Sequence, residues 1–353
     1  MSRESESESR EARSAKGGSR PPVRRSERRS AWARSLGAAA LLGTMGLASA
    51  CAGDGAPRRF LSIGTGGTGG IYYPLGGALA GRLSVRDSVR QFTAEVTGGS
   101  VENVNRIREG QIDLGFTLAL TAYEAHTGGE DYPEPVEGLR IVAPLYPNVV
   151  HVLVPGGSDA TSVAELAGRR VSVGSAGSGT EQTSRQLLEA FGVTYDEIDV
   201  QYLSFAESSA ALRDGAIDAA ILSVGYPAAA VLEATTTGDV RILPVEGGGR
   251  DALLRRHPYY SAGQIPPGVY PGVDREIPTI SMLNWIVALE SLDPTVVTGV
   301  LNTLRDDRVE LVRVHEMARQ IDLSSLEDAP IPLHPATRRW LEGGTASTAG
   351  SGP

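Results

Sequence analysis

Apolar positions along the chain recur in two rhythms. Short runs, Phe60-Leu-Ser-Ile63, Leu114 to Thr117, Arg170-Val-Ser-Val173 and Ala219 to Leu222, have strand length and composition. Between them lie helical segments, from about Tyr72 to Leu83, from Ser100 to near Gly110, and from about Thr180 to Phe191. The first strand enters Gly64-Thr-Gly-Gly-Thr-Gly-Gly70 and then a helix, and Arg170 to Val173 enters Gly174-Ser-Ala-Gly-Ser-Gly179 and then a helix. The echo continues in Arg108-Glu-Gly-Gln-Ile-Asp113 and Arg213-Asp-Gly-Ala-Ile-Asp218, each followed by a short strand.

Each half is therefore expected to be an α/β unit with its own open sheet. Glycines after a strand let the chain turn sharply and present backbone N–H groups to a ligand at a helix start. Ser162 with Glu165 and Ser178 with Glu181 have capping-box spacing; Ser100 with Asn103 is a weaker version. Leu301 to Leu311 and Val314 to Ile321 form a further helical pair. The chain is expected to cross between halves near Pro144 to Val154 and to return near Tyr259 to Thr279, making a cleft between strand-end loops. The expected division is 59–147 with 266–343 as one lobe, 148–265 as the other, and 344–353 as a disordered tail.

Residues 1–51 follow another pattern. A head rich in Ser, Glu and Arg ends in Arg24, Arg25, Arg28, Arg29 and Arg34, and an uncharged stretch with the run Leu36 to Leu47 leads to Ala48-Ser49-Ala50-Cys51. This is the pattern of an export signal. Cleavage after Ala50 would leave Cys51, the single cysteine, as the first mature residue, a position suited to lipid attachment rather than to an intramolecular disulfide. The expected location is the periplasm or the outer face of a bacterial membrane.

The formal net charge is −9, and residues 1–51 carry more basic than acidic residues, so the remainder is more acidic still. Nucleic acid is excluded as a partner, because such domains need a basic footprint. The only lysine is Lys16, in the head, so a bound anion must be met by Arg, backbone N–H groups or neutral donors. Arg82, Arg106 and Arg185 are candidates for a balancing charge.

The remaining chemistry is thin. Gly64, Gly66 and Gly69 satisfy a dinucleotide-binding spacing, but the acidic residue expected about 20 positions later is missing, with Glu95 too far along. No Gly-Lys-Ser or Gly-Lys-Thr is present, which excludes a nucleotide-phosphate loop. The five histidines have no metal-ligand spacing, and Ser178 lacks a Gly-x-Ser-x-Gly elbow, so it suits a helix cap and ligand donor better than a nucleophile. No catalytic residue, cofactor or metal is expected. His151 and Trp285 lie in apolar runs and suit the core. Tyr72 and Tyr226, at loop exits, suit either core packing or cover over a ligand.

Segments Ile63 to Ala80, Thr97 to Phe116, Val171 to Val193, Tyr202 to Pro227, Pro258 to Gly272 and Pro332 to Pro335 together resemble the TAXI family of solute receptors, the extracytoplasmic partners of tripartite ATP-independent periplasmic (TRAP) transporters. The likeness spans about residues 59 to 343. It implies a two-lobed fold like the type II periplasmic binding proteins, closing on a small carboxylate such as glutamate or 2-oxoglutarate and delivering it to a membrane permease. The resemblance assigns Thr65, Gly66, Gly67, Thr68 and Tyr72 to ligand contact from the first lobe, with Ser100 and Asn103. Ser178, Gly179 and Thr180 would meet the ligand from the second, and Gly225 with Tyr226 would cover it.

Two departures alter the expected ligand. Leu118-Ala119-Leu120 stands where the family commonly has Gln-Ser-Asp, and Ala228 where Asn is common. A pocket without a partner for an ammonium group rejects amino acids, since an unpaired buried charge is costly. A less polar keto acid or monocarboxylate is then expected. A sensory receptor reporting to a signalling partner, and an enzyme acting on a small carboxylate, are the alternatives.

Overall fold

The computed structural model describes residues 59–349 apart from Gly238, with side chains through Gly343. The export segment and Cys51 lie outside the described residues. Among the described residues ten strands alternate with ten α-helices. In the first part these are β1 (Arg59–Gly64), α1 (Tyr72–Arg86), β2 (Arg90–Glu95), α2 (Ser100–Arg108), β3 (Leu114–Leu118), α3 (Ala119–Thr127) and the long β4 (Leu139–Pro155). The middle holds β5 (Arg170–Ser172), α4 (Gly179–Ala190), β6 (Asp199–Gln201), α5 (Phe205–Arg213), β7 (Ala219–Val224), α6 (Ala229–Thr237), β8 (Val240–Leu243) and α7 (Gly247–Arg256). Then follow β9 (Ser261–Ile265), β10 (Ile277–Leu289), α8 (Pro294–Asp306), α9 (Arg308–Val314) and α10 (Pro335–Ala349).

The architecture is a mixed α/β sheet flanked by helices, as the sequence suggests. The two expected sheets are the ends of a single hydrogen-bonded path, β2-β1-β3-β10-β4-β7-β5-β6, with β8 on β4 and β9 on β10. The reason is strand length. β4 pairs with β10 through Val149 and with β7 from Val149 onward, so one strand belongs to both ends. The fully apolar stretch Val149 to Val154 apart from His151 suits a strand buried on both faces.

At each end the short strands are parallel, β1 with β2 and β3, β5 with β6 and β7. The repeated acidic residue explains itself here. Asp113 donates its N–H to the Ser62 carbonyl and accepts the Ser62 N–H on Oδ2; Asp218 does the same with Arg170. Both aspartates pin the entry of their strand to its neighbour, a structural task.

Some local expectations shift. Ser162 opens only a 3₁₀ turn, Val163–Leu166, without a side-chain cap, because Glu165 turns its carboxylate to the Thr161 N–H. The C-terminal helical pair falls into α8, α9 and a 3₁₀ turn, Glu316–Gln320. α10 continues to Ala349, inside the stretch expected to be a disordered tail, since extending a helix already nucleated at Pro335 is easier than starting one. Trp285 and His151 are core residues, and burial holds the His151 imidazole neutral, its pKa lowered to about 4.

Candidate functional site

The parallel strands β1, β3, β5 and β7 all point their carboxyl ends at one cleft, where the sheet changes from one end's connectivity to the other's. Ligand sites in open α/β sheets form at such switch points. The cleft measures about 550 Å³ counted out to its mouth. Leu118 ends β3, Ser223 and Val224 end β7, and Asn148 sits where β4 passes from β10 to β7; all four line it.

Four helices begin at its wall. Ile71 and Tyr72 open α1, Gly99 and Ser100 open α2, Ser178 and Gly179 open α4, and Ser204 and Phe205 open α5. The first N–H groups of a helix have no intrahelical acceptor, and the aligned peptide dipoles leave that end partly positive. Three serines add hydroxyl donors to the wall. Ser178 Oγ accepts the Glu181 N–H at 3.1 Å, Ser204 Oγ the Glu207 N–H at 3.3 Å, and Ser100 Oγ the Leu118 N–H at 3.1 Å. Each hydroxyl that accepts a backbone N–H keeps its own proton free to donate.

No Arg, Lys, His, Asp or Glu is among the lining residues. The three candidate arginines are engaged elsewhere: Arg82 with Asp307, Arg106 with Glu95, and Arg185 with Glu181 and Glu130. Carboxylates nearby took them first, so the wall is neutral. The phenols of Tyr72 and Tyr146 are the ionisable groups present, and burial raises both well above the ordinary tyrosine value, so neither ionises near neutrality.

Gly66, Gly67, Tyr72, Ser100, Ser178, Gly179 and Thr180, all expected to meet a ligand, line the cleft. Thr65, Thr68, Asn103, Gly225 and Tyr226 do not. Thr65 is fully buried and donates its hydroxyl to the Glu95 carbonyl at 2.6 Å. Asn103 donates to the Thr65 and Phe116 carbonyls at 2.7 and 2.8 Å and accepts from Thr97, so it braces the loop from behind. Thr68 is exposed, Gly225 packs against Ile71 and Tyr146, and Tyr226 packs on the core. Ala228 is buried beneath the Tyr270 hydroxyl and lies outside the wall, whereas Leu118 is in it, so only the first of the two departures touches the cleft.

Several lining residues were not assigned to ligand contact by the sequence reading, among them Tyr146, Asn148, Ser204, Phe205 and Ser223. Ser204 carried a signal: Ser204 with Glu207 has capping-box spacing, and both halves of the box form. Asn148 and Ser223 carried none. Asn148 donates to the Ser223 carbonyl at 2.8 Å and accepts from Asn284 at 2.8 Å; Asn284 donates to the Tyr146 carbonyl at 2.6 Å and accepts from the Tyr72 hydroxyl. This chain of amides fixes the cleft floor.

A second contact joins α3 and α4 beside the cleft. Thr121 donates to Gln182 Oε1 at 2.5 Å, Gln182 donates to Asp131 and Glu124, and Gln186 donates to Glu124 at 3.1 Å. Gly179 makes the close approach possible, because a Cβ there would stand 2.6 Å from Leu118 Cδ1 and 2.8 Å from Ser100 Oγ. Among the described residues no group of three or more His, Cys, Asp or Glu could hold a metal ion.

The sequence profile of the NMT1-like family matches residues 63–343. Among solved structures, PhnD1 from Prochlorococcus marinus in complex with methylphosphonate is similar, at 12% identity and a TM-score of 0.52, over 81% of this chain and 96% of that one. The alkanesulfonate-binding protein SsuA from Xanthomonas axonopodis pv. citri bound to MOPS is 18% identical with a TM-score of 0.45, over 78% and 84%. The periplasmic aliphatic sulphonate binding protein SsuA from Escherichia coli is 18% identical with a TM-score of 0.43, over 77% and 82%. At these identities the first of the three speaks for the fold alone.

Proposed function

The chain belongs to the NMT1-like family, and from its neutral, donor-lined cleft we propose that it captures a small organic anion and presents it to a membrane transporter. The observation that carries this reading is the convergence of four helix N-termini on a wall without a charged side chain. An oxyanion there meets N–H groups and serine hydroxyls only. Each charge-assisted bond contributes roughly 1.5–3 kcal/mol, and each helix terminus about 0.3–1 kcal/mol more. Ile71, Leu118, Phe205 and Val224 would accompany an apolar body.

Capture would proceed by closing of the two lobes expected from the sequence, 59–147 with 266–343 against 148–265, since only the closed form lets both glycine loops donate to one anion. Gly177, in the second loop, already accepts the Glu102 N–H of α2 at 3.0 Å, which is the kind of contact that closing makes. The finer reading, a carboxylate as ligand and a TRAP-type permease as partner outside the cytoplasm, rests on the sequence likeness to the TAXI receptors. The similar solved structures include proteins described as ABC transporter components, one of them the putative L-cystine transporter from Listeria monocytogenes. No helix among the described residues is long and apolar enough to cross a membrane. The wall offers no group that titrates near neutrality, which favours binding over turnover.

The test is to release whatever small molecule co-purifies with the protein by mild denaturation, weigh it, and titrate it back by calorimetry alongside its uncharged amide. Stoichiometric binding of an acid, with the amide at least tenfold weaker, supports the reading. Equal binding of the amide, or a cationic ligand, removes it.

A further inference from the structure

Four buried side-chain polar atoms among the described residues have no hydrogen-bond partner, and of these only Ser223 Oγ belongs to a residue of the cleft wall. Ser223 is 4% exposed. Its backbone is committed: β7 pairs it with Val150, and Asn148 Nδ2 donates to its carbonyl. The Asn148 carboxamide, in the same chain of amides, gives Nδ2 to the Ser223 carbonyl and Oδ1 to Asn284 rather than bonding the hydroxyl. No protein group bonds the hydroxyl, and a buried hydroxyl without a partner lowers stability. Alanine would fit the strand as well, and unlike the other three atoms this hydroxyl belongs to a wall residue, where a ligand can complete it.

The rest of the wall limits what that ligand is. Helix starts and cap serines supply donors for one oxyanion; no carboxylate is present to pair an ammonium, and no arginine to pair a second negative charge. Resting on the capture of an organic anion argued above, we propose that Ser223 sets the specificity of the cleft, and that the ligand is a small monoanionic acid carrying one uncharged oxygen, keto or hydroxy, which hydrogen-bonds Ser223 Oγ. A hydroxyl serves either form, donating to a keto oxygen or accepting from a hydroxy group. A site built to bond such an oxygen rejects an analogue lacking it far more strongly than a site that merely has room for it.

Calorimetry on the purified protein with 2-oxobutyrate, 3-hydroxybutyrate, butyrate and L-glutamate tests this. At least one oxygenated acid should bind ten or more times tighter than butyrate, glutamate should not bind, and in Ser223→Ala the advantage over butyrate should vanish. The unliganded Ser223→Ala protein should melt no lower than the natural one, because the lost hydroxyl bonded nothing. Discrimination that survives in Ser223→Ala, glutamate binding, or a clear fall in melting temperature overturns the role given to Ser223 while leaving anion capture standing. Butyrate equal to both oxygenated acids does the same. Failure of all four probes to bind overturns this ligand class, and failure of the co-purified molecule to be an acid would overturn the capture reading itself.

Discussion

Tyr72, the first residue of α1, donates its hydroxyl to Oδ1 of Asn284 in the middle of β10, at 2.5 Å and across 212 residues of chain. The ring stands edge-on to Phe116 at 5.4 Å. One bond thus ties the first glycine loop to the amides under the cleft.

Tyr72→Phe keeps the ring and leaves Asn284 Oδ1 without its donor. The expected cost is about 1–2 kcal/mol of stability, read as a lower urea midpoint with unchanged slope. Ligand affinity should fall as well, because the cleft floor loses a brace.

Gly179→Ala puts a methyl against Leu118 and Ser100, at 2.6 and 2.8 Å before relaxation. Both neighbours line the cleft, so the α4 start must move away from β3 and α2. Affinity for the co-purified ligand should drop at least tenfold by calorimetry, with a smaller loss in thermal stability.

Glu124 faces Asp131, Glu130 and Arg185, with Gln182 and Gln186 donating to it from α4. Burial first, then the Asp131 charge, raises its pKa to about 7. The folded protein therefore holds this proton between the ordinary glutamate range and about pH 7 while the unfolded chain has lost it, so stability falls as pH rises across that window. Denaturation at pH 5 and pH 8 should show the difference, and Glu124→Gln should flatten it.

Asp218 behaves oppositely. The Arg170 guanidinium hydrogen-bonded to it, at 2.8 and 3.0 Å, together with the Arg170 N–H, lowers its pKa to about 2. Its contribution is complete above the ordinary aspartate range and is lost as pH falls toward about 2. The pair is partly exposed, so screening reduces its worth. Asp218→Ala should cost about 1–2 kcal/mol at pH 7 through the unpaired Arg170 N–H and little at pH 2.

The repeated strand, glycine loop and helix were legible in the chain because each depends on neighbours within a few residues: period, turn glycines and caps. Ser178 at the head of α4 is the clearest case, and Ser204 could have been read by the same spacing. Thr65 and Asn103 show the limit. Their place in a motif could not tell whether they face the cleft or brace its loop from behind, since that depends on which carbonyls, those of Glu95 and Phe116, arrive beside them.

The sequence by itself thus determined the α/β units, the helix starts aimed at a cleft, and the lack of any lysine beyond Lys16 to meet an anion there. Tertiary structure decided that β4 and β10 weld both ends into one sheet, that Arg82, Arg106 and Arg185 are claimed by carboxylates, and that Asn148, Asn284 and Ser223 meet at the floor. Local pattern fixes what a residue can donate or accept. Whether a partner is left for it, as none is for Ser223, depends on strands brought together from distant parts of the chain.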